Sequence, residues 1–199
     1  DEAPAAIDQL GFEAAWPISR GNVIVAVVDS GVDATNEHLA GAVLPGTDFV
    51  DGGDGRTDDT GHGTAVAGVI AAREVDGSGL IGVAPAAQIL PVRVYADDSA
   101  RASEEGRGPD PVRTAAGIRW AADNGATIIA VPQSTVADVA ELRDAVDYAT
   151  SLGALVVASS GNSLDDVDDD VARFPAAYSP ALAATAVDTA GYPSGSVAR

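Results

Sequence analysis

Apolar positions along this chain follow two patterns. The run Val23-Ile24-Val25-Ala26-Val27-Val28 is apolar without alternation. A strand covered on both faces of a parallel sheet reads this way. Further strands are predicted near 88–94, 126–131, 154–159 and 182–187. Between them lie segments with helical spacing. In 111–124, Ala115, Ile118 and Ala122 share a face and Gly125 ends the run. In 138–152, Val139, Leu142, Val146 and Ala149 do the same, and Gly153 ends it. An Ala/Val-rich run predicts a third helix over 63–73. Strands alternating with helices predict an α/β fold: a mostly parallel sheet with helices on both faces. No internal repeat or boundary divides the chain, so residues 1–199 read as one domain, long enough to bury a substantial core. Asp51–Asp59 and Asp97–Pro111 read as surface loops.

Chemistry enters with His62, one of two histidines. It stands in Thr60-Gly61-His62-Gly63-Thr64, a glycine-lined turn opening the Ala/Val-rich run. Its flanking glycines have no Cβ, so backbone or substrate can come close on either side. An imidazole presented this way suits proton transfer near neutral pH. Asp29 follows the Val23–Val28 strand at its C-terminal end, before Gly31. Reactive groups in open α/β sheets collect outside these strand ends. A carboxylate there can accept a proton from an imidazole N–H and fix its tautomer. The alternative is a turn-forming aspartate. A third segment, Ala154–Asn162, is a strand ending in Gly161-Asn162. Its Asn amide could donate to a developing oxyanion, or it is an ordinary Gly-Asn turn.

In this order, the three segments resemble the subtilisin-like serine proteases, or subtilases. The resemblance rests on Val28-Asp29-Ser30-Gly31-Val32-Asp33, Gly61-His62-Gly63-Thr64-Ala65-Val66-Ala67-Gly68 and Ser160-Gly161-Asn162. Aspartate first, histidine next and serine last is the family's chain order. Gly79–Ala87 and Phe174-Pro175-Ala176-Ala177-Tyr178 look like the family's segments after the histidine helix and after the oxyanion asparagine. The wording of the histidine and Pro-Ala-Ala segments is closest to the mycosin-type subtilases of actinobacteria. The resemblance implies the subtilisin-like three-layer fold and endopeptidase activity on extended peptides. It implies Asp29 and His62 as catalytic residues and Asn162 as the oxyanion donor. Val131, Pro132, Gln133 and Ser134 fall on its substrate-binding strand. The mycosin likeness further implies a cell-envelope protease linked to type VII secretion.

Two features depart from that pattern. No Gly-Thr-Ser-Xaa-Ala-Xaa-Pro stretch is present, so the nucleophile of the family is missing. Ser194 and Ser196 lie in a Gly/Pro-rich loop and read as loop serines. The expectation is a catalytic domain truncated before the nucleophile helix, the serine being supplied by a segment beyond Arg199. Such a piece would expose apolar surface where that helix belongs. A pseudoprotease or peptide-binding module of the same fold is the alternative. Pro132 is the second departure: it has no N–H to offer an extended peptide. A nucleotide-binding α/β domain is disfavoured, because Asp29 and Asp33 put carboxylates where phosphates would sit.

Composition narrows the partners. The net charge of −19 argues against nucleic acid and anionic lipid. No apolar run reaches membrane-spanning length, so a membrane would be met only through a segment absent here. There is no Cys, which excludes disulfides and thiol chemistry, and all eleven basic residues are Arg. No cofactor is required by the implied chemistry. A structural calcium has a conceivable seat in Asp165–Asp170, but the spacing fits no specific motif and the run reads as a solvated loop. Asp51, Asp54, Asp58 and Asp59 read the same way, and His38 reads as structural. The expected partner is a polypeptide substrate, and the expected location is extracellular or the cell envelope.

Overall fold

The computed structural model describes residues 10–161 and 171–187. Six strands form one sheet: β1 Ile24–Asp29, β2 Thr47–Asp48, β3 Gln88–Arg93, β4 Ile128–Val131, β5 Leu155–Ser159 and β6 Leu182–Ala184. Their order across the sheet is β2-β3-β1-β4-β5-β6, and every pairing is parallel. The helices are α1 His62–Ala71, α2 Ala100–Glu104, α3 Pro111–Asp123 and α4 Ala140–Ser151.

Alternate side chains of β1 feed two cores, as the unbroken apolar run predicts. Ala26 and Val28 pack with Ile118 and Ala121 of α3 and with Leu142 and Val146 of α4. Val25 and Val27 point the other way, to Ala67 and Ala71 of α1 and to Leu39. The three-layer arrangement follows: α3 and α4 on one face, α1 on the other.

The second face is covered only in part. Register pairs Val25 with Ile128, Ile128 with Leu155, and Val157 with Leu182, so these side chains share the face of α1. Leu155 is 43% exposed and Leu182 53% exposed. The strand predicted at 154–159 is therefore buried on one side only. Among the described residues Ile128 of β4 packs partly against the α1 core, while the same face of β5 and β6 stays open at Leu155 and Leu182.

Two short elements escape the sequence pattern. β2 has two residues, too few to show a period, and joins the sheet through Thr47 beside Val92 and Asp48 beside Arg93. α2 lies within the predicted loop 97–111, where the Ser99 side chain accepts from Ala102 N and starts one helical turn.

Candidate active site

Asp29 is the last residue of β1, and its side chain is fully buried. His62 is the first residue of α1. The two are brought together by close packing of α1 on the end of β1. A Cβ on Gly63 would lie 2.1 Å from the Gly31 carbonyl oxygen. Only glycine permits that approach, and it sets the mouth of α1 against the tip of β1.

The N-terminus of α1 is held by Asp58. Its Oδ2 accepts from Thr64 N at 2.9 Å and from Thr64 Oγ1 at 2.6 Å. Its Oδ1 accepts from Gly61 N at 3.0 Å and lies 2.8 Å from Ser30 Oγ. These bonds satisfy amides that an α-helix leaves open at its start. Burial would raise the Asp58 carboxyl, but the hydrogen bonds from Thr64, Ser30 and Gly61 outweigh it and hold the pKa below the usual carboxylate value.

Arg93, at the tip of β3 and beside Asp29 in register, ties the same loop down. Its Nε donates to Ser30 O at 3.1 Å. Its two terminal nitrogens reach Asp48 and Asp51 at 2.9 Å and Asp59 at 3.2 Å. The acidic stretch 51–59 is therefore not merely solvated. Asp51, Asp58 and Asp59 anchor it beneath the histidine, because a buried guanidinium and an open helix end both demand partners.

His62 Nδ1 lies 2.8 Å from Asp29 Oδ1. A carboxylate oxygen only accepts, so Nδ1 carries the proton and Nε2 keeps its lone pair. The hydrogen bond to Asp29, opposed by partial burial and reinforced by the charges of Asp29, Asp58 and Asp98, raises the His62 pKa above that of a free imidazole. Asp29 Oδ1 also accepts from Ser30 N at 2.7 Å and from the Tyr95 hydroxyl at 2.9 Å.

His62 opens onto a cavity of about 260 Å³ walled by Thr60, Tyr95, Asp98, Pro109, Pro132, Gln133 and Ser134. Three of the four residues expected on the substrate strand thus reach the histidine's cavity. Val131 does not: it is fully buried with the α3 and α4 core. β4 ends at Val131, so Pro132 lies one residue past the ladder and costs it no hydrogen bond. Asn162 lies outside the described residues, as do Asp165–Asp170, Ser194 and Ser196. His38 is accounted for structurally: its Nδ1 meets Arg73 O at 3.0 Å and its Nε2 meets Ser78 Oγ at 3.2 Å. Tyr95 and Arg93 were not singled out by sequence, where Asp58 reads only as part of a solvated loop. Their partners lie far along the chain or depend on register, and only the Asp58-to-Thr64 capping interval is a local signal.

A wholly parallel sheet carrying a buried strand-tip carboxylate bonded to an imidazole at a helix mouth defines an α/β protein with an acid–base pair. The profile described as Peptidase S8, Subtilase family, matches residues 20–198, and the chain belongs to the subtilase family. It is 37% identical over 175 residues to thermitase of Thermoactinomyces vulgaris, a match covering 87% of this chain and 58% of that protein. It is 38% identical over 183 residues to fervidolysin of Fervidobacterium pennivorans, covering 88% of this chain and 25% of that protein. Among solved structures, MycP1 with its N-terminal propeptide removed superposes with a TM-score of 0.80 at 28% identity, covering 98% of this chain and 67% of that one. The MycP3 protease from the type VII (ESX-3) secretion system gives 0.80 and 28%, covering 98% and 61%. The subtilisin-like fold and the mycosin likeness read from the sequence are both found in these structures.

Proposed function

We propose that this chain supplies the acid–base half of a serine endopeptidase. The carrying observation is the 2.8 Å contact of His62 Nδ1 with Asp29 Oδ1, at a cavity shared with Pro132, Gln133 and Ser134. In the complete site a serine hydroxyl attacks the peptide carbonyl while His62 Nε2 takes its proton. The same nitrogen then delivers that proton to the leaving amine, and the C–N bond breaks. Water repeats the sequence to release the acyl group. Asp29 holds Nδ1–H throughout and stabilises the imidazolium. Asn162 donates to the oxyanion, a contact of this kind contributing ~3 kcal/mol. The backbone of 131–134 lines the substrate's path, its side chains entering at Pro132, Gln133 and Ser134.

The serine comes from a segment that covers the α1 face of β5 and β6, open among the described residues. Exposed Leu155 and Leu182 favour such a cover, since soluble proteins seldom leave an apolar sheet face bare. The likeness to MycP3 and MycP1 favours an extracellular or envelope location and a polypeptide substrate of a secretion system.

The test is hydrolysis of an unfolded polypeptide by the full-length protein and its Asp29→Asn variant. An amide at 29 would present N–H to Nδ1 and select the wrong tautomer. The expected loss is roughly 10⁴-fold in kcat with little change in KM. Peptide binding without hydrolysis by the folded wild type would instead establish a binding module.

A further inference from the structure

We propose that Tyr95 is a positioning residue for the Asp29–His62 pair: its phenol occupies part of the oxygen that His62 Nδ1–H uses, fixing the carboxylate and weakening its hold on the imidazolium proton. The proposal rests on the reading of His62 as the base of this site.

The geometry is a three-way junction. The Tyr95 hydroxyl donates to Asp29 Oδ1 at 2.9 Å, His62 Nδ1 donates to the same oxygen at 2.8 Å, and the phenol oxygen lies 3.4 Å from Nδ1. The Ser30 amide also donates to Oδ1 at 2.7 Å, while the Ser30 hydroxyl gives its one proton to Asp58 Oδ1 at 2.8 Å. Among the described residues, Asp29 Oδ2 has no hydrogen-bond partner although it is buried. A carboxylate loaded on one oxygen and bare on the other is free to turn unless its donors hold it. Ser30 follows Asp29 on the same strand end, so it moves with it. Tyr95 comes from the segment after β3, independent of both β1 and α1, and so pins the carboxylate from outside.

The phenol is suited to that task. It is buried, 7% exposed, yet forms part of the wall of the His62 cavity. Burial, then the Asp29 charge, push its pKa well above the ordinary tyrosine value, so it remains a donor throughout the neutral range. The groups facing His62 are Asp29 from β1, Asp58 from the loop before α1, and Asp98 and Tyr95 from the segment after β3. All three acids favour the imidazolium. Tyr95 is the neutral donor among them, and by withdrawing charge from Asp29 Oδ1 it opposes them. A ring that only filled space would do none of this.

The two histidines make the test direct. Nitrogen-15 histidine NMR titrations are recorded on wild type and Tyr95→Phe, with His38 as internal control. Phenylalanine keeps the ring and deletes the donor. The His62 midpoint is expected to rise by about half a pH unit or more, roughly threefold in its proton-binding constant, while the His38 midpoint stays put. An unchanged or lowered His62 midpoint in folded Tyr95→Phe would overturn the proposal. Should Tyr95→Phe fail to fold, uniform 3-fluorotyrosine supplies a stronger phenol donor. The His62 midpoint should then fall, and its failure to move overturns the assignment equally. Neither titration depends on turnover: a shifted His62 in a protein that cleaves no peptide supports the role of Tyr95 and sinks the protease reading alone.

Discussion

His62 and Asp29 divide the work by exposure. The imidazole side chain is 51% exposed and the carboxylate fully buried. A buried anion needs compensating donors, and Asp29 finds them in His62, Tyr95 and Ser30. Raising the His62 pKa has a kinetic consequence. General-base action needs the neutral ring, so kcat/KM of the full-length protein should climb with pH around a midpoint above 6.5, the value of a free imidazole. A pH–rate profile checks this, and a midpoint below 6.5 would contradict it. The same shift acts on stability. A raised folded pKa gives stability that is complete below 6.5 and is lost as pH rises through the folded value. Asp58 acts in the opposite sense. Its lowered pKa gives stability present above 3.8 and lost as pH falls through the folded value. The half-exposed histidine makes its share small.

Elements meet at this site because glycines and one buried arginine let them. Gly63 brings α1 onto β1. Arg93 fastens the loop that carries Asp58, and it reaches buried Asp48, half-exposed Asp51 and exposed Asp59. Arg93→Met would leave the Asp48 carboxylate buried and unpaired. The expected destabilisation is ~3–5 kcal/mol by urea unfolding, most of it from Asp48 and little from the exposed partner. A loss below about 1 kcal/mol would show that the cluster is a surface arrangement only. None of these pairings was legible along the chain. Asp29 and His62 were, because each has a local signature: a carboxylate ending an apolar run, and an imidazole between glycines before a helix. Tyr95 and Arg93 act across register, and no periodicity marks them. β2 and α2 are too short to carry a period.

Across the whole molecule, the strand–helix alternation foretold the parallel sheet, and the apolar runs foretold its strands. Their burial was legible only in part. The run 154–159 looks like Val23–Val28 in letters, yet among the described residues one face of β5 lies open beside β6. Sequence pattern reports that a face is apolar, not what lies against it. For the face left open among the described residues and the absence of the family's nucleophile motif from this sequence we propose one account: a segment carrying the serine packs there and meets His62. Thermitase and MycP3 are both longer than the stretch they share with this chain.

Fluorophosphonate labelling of the full-length protein, read by intact mass and peptide mapping, addresses that account most directly. One serine should be modified in the wild type, and His62→Ala, while still folded, should abolish the modification. Equal labelling of both proteins, or none in a folded wild type, would contradict a proton-accepting role for His62.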